Sequence, residues 1–320
     1  MRFFREKNES TIKEFAMKSL YWFGALFVTM AVSIAPARAE STVLRGGAML
    51  SCSGMPCVDI ALKSGKHLHM LVDLGDDHSI VSSAAAKELG LAVEPVAVTG
   101  RDGKPVAGIG SATLEDASLG TASLGNLPVL VRDLSPAIQK GSLPQADGVL
   151  AYTAFHDRLL QMDFKRNTLK VSEVLAADPP CAKACGNLST PTFGAQGPPV
   201  LVTTGFSVNG KPVTAQIDTL YTGTMLIYPA AVAKLDLQSA SGVNATQFFK
   251  YTDGGVAMRE SKAASESFAS KALGHQVSLF FATPQVHVPD GNFDGTVGLG
   301  LLTGHVVYVD LHSQHFWMTN

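Results

Sequence analysis

The sequence has little charge and no concentrated block of it. Only 16% of its 320 residues are Asp, Glu, Lys or Arg, and the formal net charge is −2. No basic segment alternates with aromatic residues, so the composition argues against nucleic acid as a partner. With 46% hydrophobic residues, 30 glycines and 16 prolines, the chain is too apolar for a disordered protein. This composition is typical of a globular protein rich in strands and turns.

Several motifs of catalysis and cofactor binding are also missing. The sequence contains no Gly-x-Ser-x-Gly, no His-Glu-x-x-His, no Walker loop and no complete dinucleotide fingerprint. Asp76, Asp77 and His78 are adjacent on a turn, where three neighbouring side chains seldom converge on one ion, and no second cluster accompanies them. We therefore expect neither a cofactor nor a metal.

The apolar run from Leu20 to Ile34 is short for a membrane span, which needs about 20 residues. It follows Lys18 and leads to Ala37-Arg38-Ala39, a small-x-small cleavage pattern. We predict that residues 1–39 are a signal peptide cleaved after Ala39, with a start near Met17, and that no stable membrane insertion follows cleavage. An uncleaved anchor is the alternative. Either way the folded part is expected in a bacterial-type periplasm or outside the cell.

Four cysteines form two close pairs, Cys52/Cys57 and Cys181/Cys185. In an exported protein such pairs predict two local disulfides. One metal site made by all four thiolates is the alternative, although neither pair has the two-residue spacing usual at zinc sites.

The strongest pattern is an internal repeat of three short segments, and each segment contains an aspartate. Corresponding aspartates are separated by 145 (218 − 73), 147 (294 − 147) and 147 (310 − 163) positions. Solenoid repeats have periods of about 20–50 residues, so this spacing instead predicts a duplicated lobe. The segments of the two copies are Leu71-Val72-Asp73-Leu74-Gly75, Asp147-Gly148-Val149-Leu150 and Met162-Asp163-Phe164, then Gln216-Ile217-Asp218-Thr219-Leu220, Asp294-Gly295-Thr296-Val297 and Val309-Asp310-Leu311.

The apolar pattern predicts a mainly β chain with two homologous barrel-like lobes and one short helix per lobe. The lobes are expected at residues 40–175 and 200–320, joined by a proline-rich linker at 176–199. Strands are predicted at Val58–Leu62, Leu68–Asp73, Leu127–Arg132, Leu159–Phe164, Thr168–Val171, Leu201–Val208, Val213–Ile217, Val277–Phe281 and Val306–Leu311. Helices are predicted at Ser82–Leu89 and Pro229–Leu235, and polar hairpins at Thr99–Gly110 and Tyr251–Arg259.

Around its central aspartates the chain resembles the aspartic peptidases, with a retropepsin-like lobe duplicated in one chain as in pepsin-like enzymes. The resemblance is carried by Ala215-Gln216-Ile217-Asp218-Thr219-Leu220 and by Asp294-Gly295-Thr296-Val297-Gly298. It implies an acid-protease type of fold, in which both barrel-like lobes are closed and a cleft lies between them, and an endopeptidase that cleaves peptides or unfolded proteins. Asp73 and Asp218 would share one proton and activate a water, supported by Gly75 and Thr219. Since both lobes lie in one chain, the resemblance also implies a monomer, and the hairpin at Thr99–Gly110 would be a flap over the substrate.

Each copy keeps a different half of the family triplet Asp-Thr/Ser-Gly. Leu74 stands where the first lobe should have a hydroxyl, and Leu220 stands where the second should have glycine. Ala151 likewise replaces a glycine that the second lobe keeps at Gly298. The alternative function is therefore a catalytically inactive, aspartic-peptidase-like protein of the cell envelope that binds a peptide or other ligand. A structural protein with a filled cleft is a third hypothesis.

Overall fold

All nine predicted strands and both predicted helices are present, with small shifts of their ends, in the computed structural model. It describes residues 43–99, 105–141, 143–156, 158–172, 184–192, 197–235, 237, 244–248, 255–262, 266–269, 271–273, 278–282 and 293–319. The predicted signal segment, 1–39, lies outside these residues, and residues 40–320 form one compact unit. Within the described ranges, no helix is long and apolar enough to cross a membrane.

The first lobe is a closed barrel. Its strands are β1 Leu44–Ala48, β2 Leu50–Cys52, β3 Met55–Ala61, β4 His67–Asp73, β5 Ile80–Ser82, β6 Glu94–Pro95, β7 Val98–Thr99, β8 Pro105–Val106, β9 Gly110–Leu119, β10 Ala122–Arg132, β11 Gly148–Ala151, β12 Leu159–Asp163 and β13 Thr168–Ser172. The sheet order β3-β4-β11-β5-β10-β9 closes on itself because β9 also pairs with β3. Closure removes the free sheet edges that open sheets must protect.

The second lobe repeats this order. Its strands are β14 Gly186–Ser189, β15 Val202–Val208, β16 Lys211–Asp218, β17 Met225–Ile227, β18 Asn244–Phe248, β19 Gly255–Lys262, β20 Glu266–Phe268, β21 Lys271–Ala272, β22 Ser278–Ala282, β23 Gly295–Gly298, β24 Val306–Asp310 and β25 His315–Thr319. The order β16-β23-β17-β22-β19 corresponds to β4-β11-β5-β10-β9, with the same parallel pairs β4/β11 and β16/β23. The internal repeat therefore describes two copies of one strand arrangement.

A shared sheet joins the lobes. The order β1-β13-β12-β24-β25-β14 places three strands of the first lobe beside the two C-terminal strands. Leu160 lies opposite Val309 in the β12–β24 ladder, and both are fully buried. β14 falls inside the proline-rich stretch expected to be a linker, where it pairs with both β15 and β25.

The two predicted helices are α1 Ser83–Leu89 and α3 Pro229–Lys234; α2 Ser135–Gln139, α4 Leu299–Leu302 and a 3₁₀ turn at Tyr152–Phe155 accompany them. Ser82 caps α1 by accepting a hydrogen bond from the amide of Ala85. Gly90 ends α1 with φ of 71°, a left-handed conformation that glycine adopts without strain.

Two aspartates of the repeat bind equivalent strands of their lobes. Oδ2 of Asp147 accepts a hydrogen bond from the amide of His69 at 2.8 Å, and Oδ2 of Asp294 accepts one from the amide of Thr214 at 2.9 Å. Asp163 and Asp310 each accept two amide hydrogen bonds in the turns that follow them. All four aspartates therefore accept hydrogen bonds from backbone amides of their own half of the chain.

Candidate functional site

Asp73 and Asp218 end equivalent strands. Asp73 is the last residue of β4 and lies opposite Ala151 of the parallel strand β11. Asp218 is the last residue of β16 and lies opposite Gly298 of β23. Each aspartate therefore stands at the carboxyl end of a central strand, where the backbone turns out of its barrel.

The turn after each aspartate folds back onto the carboxylate. Oδ1 of Asp73 accepts a hydrogen bond from the amide of Gly75 at 2.8 Å. Oδ1 of Asp218 accepts equivalent bonds from the amides of Leu220 and Tyr221, both at 2.9 Å. Leu220 is not among the residues with positive φ, so the turn accommodates an L side chain. Replacement of the family glycine therefore leaves the amide-to-carboxylate bond in place.

Thr219 binds the two loops to each other. Its hydroxyl donates to the carbonyl of Val72 at 2.6 Å and accepts from the amide of Leu74 at 3.0 Å. Both bonds are buried and connect the lobes. Leu74, which occupies the equivalent position in the first lobe, is fully buried in the apolar core and offers no hydroxyl. The connection by threonine is therefore one-sided.

Gln216 supplies a further bond between the lobes. Its side-chain Nε2 donates to the carbonyl of Gly75 at 3.0 Å, and the residue is only 3% exposed. The sequence motif contains Gln216, but the prediction gave it no role. The available signal was a polar residue between the apolar residues Ala215 and Ile217, directly before the site aspartate, because a buried polar side chain needs a partner.

Gly75 lies against the carboxylate of the opposite lobe. A Cβ placed on Gly75 would lie 2.7 Å from Cγ and 2.9 Å from Oδ2 of Asp218. No side chain fits at this distance, so glycine is required here by close approach and not by its backbone angles. The loop of Asp73 and the carboxylate of Asp218 are thus in direct contact.

Leu220 projects into the first lobe. It is 3% exposed and packs in an apolar cluster whose other buried members all belong to the first lobe, among them Cys57, Leu71 and Val149. A glycine here would leave that space empty. The leucine therefore stabilises the contact between the lobes at the position where the family triplet has no side chain.

The two aspartates differ in their access to solvent. Asp73 is fully buried, whereas Asp218 is partly exposed. Tyr221, beside Asp218, is buried, and its ring lies against Gly298, where a Cβ would be 2.4 Å from Cδ1. Burial first, and then the negative charge of Asp218, raise the pKa of Tyr221, so its phenol stays protonated.

Asp76, Asp77 and His78 form a small charged group beyond the first loop. Nδ1 of His78 lies 2.7 Å from Oδ1 of Asp77. This hydrogen bond, with the charges of Asp77 and Asp76, raises the pKa of His78. Burial, followed by the same two charges, raises the pKa of Tyr152 to about 12. Asp77 is thus directed at His78.

The predicted Cys52–Cys57 disulfide is present. Since both sulfurs are bonded to each other, they are not thiolate ligands for a metal. Cys185 is also disulfide-bonded, and Cys181 lies outside the described residues.

A hairpin occupies the place expected for the flap. Its strands β7 and β8 pair antiparallel, and residues 100–104, between them in the sequence, are not described. Closure over a substrate therefore stays a prediction. The second hairpin is formed by β18 and β19, with residues 249–254 outside the described part.

A depression with a volume of about 740 Å³ is lined by first-lobe residues that include Leu62, Leu89 and Thr113. Neither aspartate lines it.

Two β-lobes of one plan, with equivalent aspartate loops bonded to each other between them, define an aspartic-peptidase-like protein. Comparison with protein families agrees with this class. Residues 58–154 match the family model described as aspartyl protease, and this stretch contains Asp73 and the strands that surround it.

The chain is similar to two solved structures, with nearly the same sequence identity, coverage and TM-score for each. Basic 7S globulin from soybean is 11% identical, with 87% of this chain and 94% of that chain covered and a TM-score of 0.47. An aspartic proteinase from Irpex lacteus is 12% identical, with 87% and 97% covered and a TM-score of 0.49. No sequence among the curated proteins matches the chain.

Proposed function

We propose that the protein is an aspartic-type endopeptidase in which Asp73 and Asp218 form the catalytic pair. The observation that supports this most directly is the contact between Gly75 and the Asp218 carboxylate, together with the two bonds of Thr219. A pair of carboxylates must be held close to share one proton, and these contacts hold the two loops together.

In the proposed reaction, the ionised member of the pair takes a proton from a water, which attacks the peptide carbonyl. The protonated member donates a hydrogen bond to the carbonyl oxygen. Asp218, which is partly exposed, would be the first carboxylate that an incoming water meets, and fully buried Asp73 would hold the shared proton. The substrate would be an extended peptide or an unfolded protein, bound through its backbone as a strand. One chain carries both aspartates, so a monomer suffices.

Cleavage of an unfolded, carboxymethylated protein by the mature chain between about pH 3 and 6 tests this proposal. Wild-type protein is compared with Asp73→Asn and Asp218→Asn, which remove the charge with little change in shape. Asp116→Asn is the matched control because Asp116 is exposed and has φ of 45°, which asparagine tolerates. Both site variants should lose activity by at least about 100-fold, while the control retains it. Equal cleavage by wild type and both site variants would refute the proposal.

Complete burial of Asp73 favours a second function, in which the protein binds peptides without cleaving them. In that case wild type binds a fluorescent unfolded peptide with no turnover, and Asp73→Asn and Asp218→Asn bind it equally well. Anisotropy and product analysis on the same samples separate the two functions.

We also propose that the chain is exported to a periplasm or to the outside of the cell. Support comes from the apolar run that ends at Ala37-Arg38-Ala39 and from the Cys52–Cys57 disulfide, since such bonds persist in oxidising compartments. Mass spectrometry of the protein from cell fractions should find a mature N-terminus at Glu40. An intact N-terminus in the cytoplasmic fraction would contradict export.

A further inference from the structure

A histidine lies directly beside the Cys52–Cys57 disulfide, away from the aspartate loops. Nε2 of His69 is 2.8 Å from Sγ of Cys52 and 3.4 Å from Sγ of Cys57. The three residues come from adjacent antiparallel strands: Cys52 ends β2, Cys57 lies in β3 and His69 in β4. One nitrogen is therefore within reach of both sulfurs of one disulfide.

Asp59 sets the direction of the imidazole. Its Oδ1 lies 2.8 Å from Nδ1 of His69, and the two residues are direct partners in the β3–β4 ladder. A carboxylate can only accept, so Nδ1 carries the hydrogen, and Nε2 of the neutral ring presents its lone pair to the sulfurs. The backbone of His69 is also fixed, since its amide donates to Asp147. A carboxylate, an imidazole and a sulfur in this order form an arrangement suited to moving a proton at the sulfur.

The two cysteines differ in their exposure as residues. Cys57 is fully buried in the apolar cluster that also contains Leu71 and Leu220, whereas Cys52 is partly exposed at the end of a short edge strand. The His69 side chain is 34% exposed. A thiol from solution that attacks this disulfide would therefore reach Cys52 before Cys57, and the buried sulfur of Cys57 would be the leaving group. Exchange is fast when the attacking thiol is ionised and the leaving thiolate is stabilised.

We propose that Cys52–Cys57 is a thiol–disulfide exchange site for small thiols, served by His69 and positioned by Asp59. Nε2 of His69 takes the proton of the incoming thiol, whose sulfur attacks Sγ of Cys52. The Cys52–Cys57 bond breaks, Cys57 leaves as a thiolate, and the imidazolium returns the proton to it. The products are a mixed disulfide on Cys52 and a free thiol at Cys57. A second thiol can then displace Cys52, which reduces the protein disulfide by two electrons while two thiols are oxidised to one disulfide.

The test measures the rate at which the mature protein acquires glutathione from reduced glutathione. Samples are quenched in acid, and peptide mass spectrometry reports the modified cysteine and its fraction. We expect glutathione on Cys52 and a rate that falls at least about tenfold in His69→Ala. Added imidazole should restore much of this loss, because it can occupy the space left by the ring. His67→Ala is the control, since His67 is exposed on the same strand two residues away and should leave the rate unchanged.

Asp59 acts through His69, so its test compares a variant without a carboxylate with one that keeps it. Asp59→Asn should slow exchange several-fold, while Asp59→Glu, which keeps a carboxylate, should stay close to wild type. The peptide that contains Cys185 is an internal reference, because its disulfide should react at one rate in all variants.

Three results would overturn the proposal. The first is a His69→Ala variant that exchanges as fast as wild type or faster, which would mean that the ring only shields the bond. The second is a slow His69→Ala variant that imidazole does not restore, which would reduce His69 to a packing role. The third is glutathione attached to Cys57 instead of Cys52.

Discussion

At the scale of single residues, one hydroxyl makes two of the hydrogen bonds that join the lobes at the site. Thr219 donates to the carbonyl of Val72 and accepts from the amide of Leu74, and all of these atoms are buried. In a symmetric arrangement two hydroxyls would make such bonds. Here only Thr219 makes such hydrogen bonds, and Leu74, at the equivalent position of the first lobe, contributes apolar packing alone.

Replacement of Thr219 by valine should therefore lower the stability of the fold, although the two side chains have nearly the same shape. It leaves a buried amide and a buried carbonyl without their partner, at about 1–3 kcal/mol for each unsatisfied group. We expect the free energy of unfolding to fall by about 2–4 kcal/mol, measured by urea denaturation at pH 7. Thr222→Val is the matched control, because Thr222 is exposed and should change stability by less than about 0.5 kcal/mol. Equal stability of the two variants would show that the hydroxyl of Thr219 contributes no net stability.

Gly75 offers a second test at this scale. Alanine at this position would place a methyl group 2.7 Å from Cγ of Asp218 and push the carboxylate aside. We expect Gly75→Ala to destabilise the fold by about 1–3 kcal/mol and to abolish any cleavage activity. Gly304→Ala serves as control, because a Cβ at Gly304 would meet nothing within 4 Å. Thermal unfolding of both variants gives the comparison, and a Gly75→Ala protein as stable and active as wild type would contradict the close contact.

At the scale of elements, short helices follow the aspartate loops in both lobes, and local signals define them. α1 begins after Ser82, whose hydroxyl accepts from the amide of Ala85 at 3.1 Å, and it ends at Gly90. Ala85 and Ala86 bury one face of this helix against the barrel. A helix of 7 residues has little stability of its own, so its cap should matter.

We expect Ser82→Ala to lower the free energy of unfolding by about 1 kcal/mol, as is typical for the loss of an N-cap hydroxyl. Ser83→Ala, one residue further on, changes an exposed first-turn position and should be neutral or slightly stabilising because alanine favours helix. Urea denaturation of the pair decides the matter. If the two serine variants lost the same stability, capping would not be the reason.

The elements also show what the sequence could and could not predict. α1, α3 and the strands around the aspartates carry local signals: capping residues, a proline at the first helical turn, and alternating apolar positions. β14 carries none, because Gly186–Ser189 lies in a proline-rich stretch and becomes a strand only by pairing with the distant strands β15 and β25. Secondary structure that depends on such long-range pairing is not visible in a local window.

The same distinction holds at the site. The role of Thr219 in joining the two loops was predictable from the Asp-Thr/Ser-Gly triplet, because in that motif the hydroxyl after the aspartate is expected to form this connection. The packing of the Leu220 side chain was not predictable, because an apolar residue in place of glycine does not indicate which part of the core its side chain contacts. Only the fold shows that Leu220 enters the cluster of the first lobe while its amide keeps the bond to Asp218.

At the scale of the whole molecule, the two lobes share their interior. One apolar cluster contains Val72 and Phe155 of the first lobe together with Ile217 and Val309 of the second half. The ladder between β12 and β24 continues the sheet from one lobe into the other over five residue pairs. Unfolding one lobe alone would therefore expose apolar surface and unpaired strand edges of the other.

This shared interior predicts a single cooperative unfolding transition for the mature chain. Trp317 is the only tryptophan after residue 39, it is 5% exposed, and its ring stacks on Tyr308 with centroids 4.8 Å apart. Its fluorescence reports on the sheet that joins the lobes, whereas far-ultraviolet circular dichroism reports on strands of both. The two signals should follow the same urea curve, because coincident transitions are the mark of two-state unfolding.

A truncated chain that ends at Ser172 is the decisive comparison. It lacks β24 and Leu220, and we expect it to unfold at a lower urea concentration and without a sharp transition. Two separate transitions in the intact chain, or a truncated lobe as stable as the whole, would mean that each lobe folds independently and that Thr219 and Leu220 join two finished domains.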